Sequence, residues 1–60
     1  MNINYEKLKN DLIDYFGTAM QFNLMAIMDL TKVENASPEE LVEIAQDNNF
    51  DLNDYKINTL

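Results

Sequence analysis

The apolar positions of this chain fall into helical spacing from near its start. Tyr5, Leu8, Leu12, Tyr15 and Phe16 recur at steps of three and four residues and make one stripe. Asn4 stands where an N-cap would, and Glu6 follows in the first turn, where the helix dipole favours an acid. The pattern predicts a helix over about 4–16. Gly17, the chain's single glycine, is placed to close that helix in the left-handed conformation. Thr18-Ala19-Met20-Gln21 then has the Thr-x-x-Gln form of a capping box, which predicts a second helix over about 19–33.

On a helical wheel this second segment carries two apolar stripes. Met20, Leu24, Ile27 and Met28 form one, with Thr31 among them; Phe22, Ala26, Leu30 and Val33 form the other. Gln21, Met25, Asp29 and Lys32 fill the narrow sector that remains. A helix apolar around most of its circumference reads as the central helix, with one face for each neighbour.

Ser37-Pro38-Glu39-Glu40 is the strongest local signal. Ser37 caps, Pro38 takes the first helical position and Glu40 completes a capping box. Leu41, Ile44 and Ala45 supply the inner stripe, with Val42 at its flank. Asn48-Asn49 suits a left-handed stop, giving a third helix over about 38–48. Asp51-Leu52-Asn53-Asp54-Tyr55 reads as a short capped turn over 51–55, with Phe50, Leu52 and Tyr55 closing the open end of the core. The tail 57–60 is expected to fray. The fold class expected is all-α, a compact three-helix bundle with a short fourth helical turn, in one domain spanning 1–60.

Composition narrows the chemistry. The chain has 60 residues and lacks both cysteine and histidine. Disulfides and thiolate sites are therefore excluded, and with them the Ser-His and Cys-His nucleophile pairs. The net charge is -7, from 11 acidic residues against Lys7, Lys9, Lys32 and Lys56, with no arginine. Such a balance opposes binding to nucleic acid and to anionic membranes. Leu24 to Met28, the longest apolar run, is far shorter than a membrane span. MNINYEKLKN has no apolar segment behind a positive start, so no signal peptide is expected and a cytoplasmic location is.

Two groups of oxygen-bearing side chains could in principle carry chemistry. Asp47-x-Asn49-x-Asp51-x-Asn53 places oxygen ligands at alternate positions, as calcium loops do. Leu52 occupies the glycine position, and Asn58 replaces the bidentate glutamate, so no metal site is expected. Glu39, Glu40 and Glu43 cluster at a helix start, where the dipole accounts for them. Asp11 and Asp14 fall on the polar face of the first helix and are expected to be solvated. No catalytic residue, cofactor site or small-molecule pocket is expected, and the chain does not read as an enzyme.

The segment 38–55 resembles the Nif11-type small helical domain, on the residues Glu39, Glu40, Leu41, Ala45, Phe50 and Asp51. Asn49 stands where that family usually has glycine, and Leu52 where it has an aromatic residue. The resemblance implies a helical leader or recognition domain read by a peptide-maturation enzyme. The residues themselves point to a non-catalytic protein-interaction module, whose partner is another protein or itself as a homodimer. Phe22, Met25 and Asp29 are the expected partner-binding residues, because methionine suits a surface that adapts to what it meets.

Overall fold

Helix α1 (Tyr5–Ala19), helix α2 (Met25–Glu34), helix α3 (Pro38–Asp47) and a 3-10 turn (Leu52–Tyr55) follow one another in the chain. These elements are seen in a computed structural model that describes residues 2–57. The architecture is the all-α three-helix bundle with a short fourth turn.

The buried side chains of α1 are Leu8, Leu12 and Phe16, each one turn beyond the last. Burying a leucine or phenylalanine fully is worth about 1.5–3 kcal/mol. Ala26 and Val33 from α2, Leu41 and Ala45 from α3, and Ile3 and Tyr55 from the chain ends complete the core. Helix α1 is its centre. It packs most extensively on α2 and also meets α3 and the 3-10 turn, whereas α2 and α3 share little surface. The central helix is therefore α1, not α2.

Asn4 caps α1 as expected, its Oδ1 accepting from the Lys7 amide at 3.1 Å. The end of the helix differs from expectation. Gly17 keeps a negative φ, and the Met20 amide still donates to the Phe16 carbonyl at 2.9 Å. The helix runs on to Ala19, whose partly buried methyl extends the Leu12–Phe16 stripe onto the core. Added helical hydrogen bonds and this burial outweigh the ~1 kcal/mol that glycine costs inside a helix. A Cβ on Gly17 would meet no atom within 4 Å. Gly17→Ala is expected to raise stability by ~0.5–1 kcal/mol in chemical denaturation. A loss instead would mean that Gly17 does adopt a left-handed cap.

Because α1 continues, the capping box at Thr18–Gln21 does not form. Residues 20–24 make a turn, and α2 starts six residues later than its sequence pattern predicts. Asn23 supplies the local stop: its Oδ1 accepts from the Met25 amide at 3.0 Å. This is an Asx turn, the backbone-mimicking loop that asparagine favours.

Helix α3 forms where its signals lie. Ser37 Oγ accepts from the Glu40 amide at 3.3 Å, and Glu40 Oε1 accepts from the Ser37 amide at 3.1 Å. Those hydrogen bonds hold the Glu40 carboxyl below its usual range. At the other end Asn49 takes φ 63°, and the Phe50 amide donates to the Ala45 carbonyl at 2.8 Å. Asp51 caps the 3-10 turn by accepting from the Asn53 amide at 2.9 Å.

The two ends of the described chain clasp. Ile3 and Lys56 form an antiparallel bridge. The Asn4 amide donates to the Tyr55 carbonyl at 2.7 Å, and the Ile57 amide to the Asn2 carbonyl at 2.9 Å. Ile57 is thus tied to the N-terminal segment, and the rest of the expected frayed tail, 58–60, lies outside the described residues.

Candidate interaction surface

Helix α2 turns one of its two apolar stripes inward. Ala26 and Val33 are buried and Leu30 is partly so, which leaves the opposite face to solvent. Leu24 is 78% exposed, Met25 63%, Met28 57% and Ile27 47%, while in the preceding turn Phe22 is 86% exposed and Met20 39%. The stripe of Met20, Leu24, Ile27 and Met28 is therefore surface rather than core. Phe22, expected beside Ala26 and Val33, lies off the helix altogether.

Taking ~200 Å² for each such side chain when free, these six expose roughly 700 Å². The largest apolar patch on an ordinary monomer is about 300–600 Å². Of the expected partner-binding residues, Phe22 and Met25 belong to this surface. Asp29 lies half-buried on the flank of α2 toward Val33. Leu24, Ile27 and Met28, expected in the core, are members as well; the local signal is Asn23, whose Asx turn precedes the N-cap Leu24.

Charge is distributed unevenly around this surface. Asp29 and Lys32 are the only charged residues between positions 15 and 33. Glu34 follows at the exposed last residue of α2, so this helix carries two acids and one base, and nine of the chain's 11 acidic residues belong to other segments.

A second cluster sits at the clasped end. The Tyr55 hydroxyl donates to Asp11 Oδ2 at 2.6 Å, across 44 positions of sequence. Asp11, expected to be solvated, is partly buried by this contact. Lys7 Nζ lies 5.2 Å from the centre of the Tyr55 ring, within cation–π range. Tyr5 and Tyr15, members of the apolar stripe of the first helix, stay 37% and 45% exposed, and the Tyr15 ring stands edge-on to Phe50 at 5.3 Å. An open depression lined by Asn4, Glu6, Lys7, Asn10 and Asp11 adjoins Tyr55.

Burial raises the Tyr55 phenol from 10.0 to about 12, aided by the Asp11 hydrogen bond and the negative charges of Asp11 and Asp54. The folded chain thus holds this proton more tightly than the unfolded chain does. The resulting stability is fully present below about pH 10 and is lost as pH rises through about 12. In an alkaline denaturation series Tyr55→Phe should flatten that loss. An unchanged pH profile would mean that the Tyr55 proton does not contribute.

Within the 47–53 segment two side chains bond to the backbone. Asp51 caps the 3-10 turn, and Asn48 Nδ2 donates to the Ile44 carbonyl at 2.8 Å. Among the described residues no three acidic side chains gather as a metal site, and no helix is long and apolar enough to cross a membrane. Comparison with protein-family models, curated proteins and solved structures gives no match.

Proposed function

We propose that the chain is a small acidic, non-catalytic protein-interaction module of the cytoplasm. It engages its partner, another protein or a second copy, through the outer face of α2 and the turn before it. The observation that carries this reading is the exposed apolar surface around Phe22, Leu24, Met25 and Met28. Removing such a surface from water is the main drive for association. Phe22 is the natural anchor, since aromatic side chains dominate binding energy. Met25 and Met28 adapt around it, and Asp29 stands at the rim. The lack of histidine and cysteine supports a role without catalysis. The charge of -7 speaks against nucleic acid and membranes as partners, and the polar, open depression speaks against a small-molecule substrate.

A photo-crosslinking residue at position 25, compared in cells with one at the exposed position of Glu43, tests this. Protein adducts from position 25 and not 43 are expected; equal background from both would defeat the reading. A second reading rests on Asn49, whose positive φ falls where the Nif11-type pattern has glycine. On that reading residues 38–55 are recognised by a maturation enzyme, and the adducts should come from position 43 instead.

A further inference from the structure

We infer that the occupant of the α2 surface is a second copy of this chain, bound across a two-fold axis; this rests on the interaction reading above. Three observations favour a copy over a charged partner. The first is area. Were all six residues wholly covered on both copies, roughly 1,400 Å² would be buried at most, toward the lower end of stable specific interfaces.

The second is charge. A strongly basic partner would call for an acidic face, yet the charges of α2 are few: half-buried Asp29 on its flank, exposed Lys32, and Glu34 at its last turn. Neither Asp29 nor Lys32 has an ion-pair partner among the described residues. One charge of each sign is self-complementary across a two-fold axis, where each patch meets its own copy. Nine of the 11 acidic residues lie on segments other than α2, so pairing two α2 faces brings few of the like charges onto the contacting helices themselves.

The third is size. A domain of this length buries a small share of its surface, and without disulfides oligomerisation is a usual source of added stability. The described core has few large side chains, with Leu8, Leu12 and Val33 the largest that are fully buried. Pairing the Leu24–Met28 faces would give the dimer a second apolar layer.

Sedimentation over a concentration series tests this on the intact chain. The expected result is a reversible species of twice the 7.0 kDa chain mass. Added salt should tighten it by screening the acidic remainder of each copy; a charge-driven partner would be loosened. Phe22→Glu and Met28→Lys should each weaken it by about tenfold or more, with unchanged circular dichroism. Asp29→Lys and Lys32→Asp should each weaken it, and the double exchange should restore it.

A chain that stays monomeric throughout would overturn the dimer, as would association insensitive to these substitutions. If it is monomeric and position 25 still crosslinks to a different protein in cells, only the dimer fails. If neither association nor adducts appear, the interaction reading fails with it.

Discussion

Replacing Leu12 by alanine is expected to cost ~2–5 kcal/mol and to leave much of the chain unfolded at room temperature. Leu12 is fully buried at the middle of α1, the helix that every other element packs against. The cavity would open between α1 and the elements packed on it. A domain of 60 residues has only about 3–9 kcal/mol of stability to lose. Ile27→Ala is the control. The sequence pattern places Ile27 in the core as well, but nearly half of it is exposed, and its truncation should cost only about 1 kcal/mol in the monomer, below the range for a buried leucine. Urea denaturation of dilute samples measures both. Similar losses for the two variants would return α2's outer face to the core.

Tyr55→Ala should be nearly as damaging, at ~3–5 kcal/mol, because a buried aromatic ring is lost from the clasped end. The ring is part of the core cluster with Ile3 and Leu8, and its hydroxyl is the hydrogen-bond donor to Asp11. Tyr55→Phe separates these contributions. It keeps the ring and removes only a hydrogen bond to a charged group, for an expected loss of about 1.5–3 kcal/mol. If alanine and phenylalanine cost the same, the hydroxyl carries the whole effect and the ring is not packed as described.

What was legible in the sequence was what is decided locally. The Ser37–Glu40 box, the left-handed Asn49 and the Asp51 cap each depend on residues a few positions apart, and each forms where those residues predict it. Gly17 shows the limit of such signals. Glycine permits a left-handed cap without requiring one, and the burial of Ala19 carries α1 past it. That one continuation displaces the start of α2.

The apolar stripe of Met20, Leu24, Ile27 and Met28 was misplaced for a further reason. Buried residues are mostly apolar, but apolar residues need not be buried. A periodic pattern identifies a face without saying what lies against it. The Tyr55–Asp11 pair was invisible because nothing local links positions so far apart, and only the clasp of Asn2–Asn4 with Tyr55–Ile57 brings them together.

The account turns on the outer face of α2 being surface in the single chain. Nuclear magnetic resonance with a soluble paramagnetic agent reads this directly, in a sample dilute enough for sedimentation to find only monomer. The methyl groups of Met25 and Met28 should relax strongly, while those of Leu8 and Leu12 should be shielded. Methionine methyls as well shielded as those of Leu12 would contradict the account, since the GTAMQFNLMAIMDL stretch would then be core with no face left for a partner.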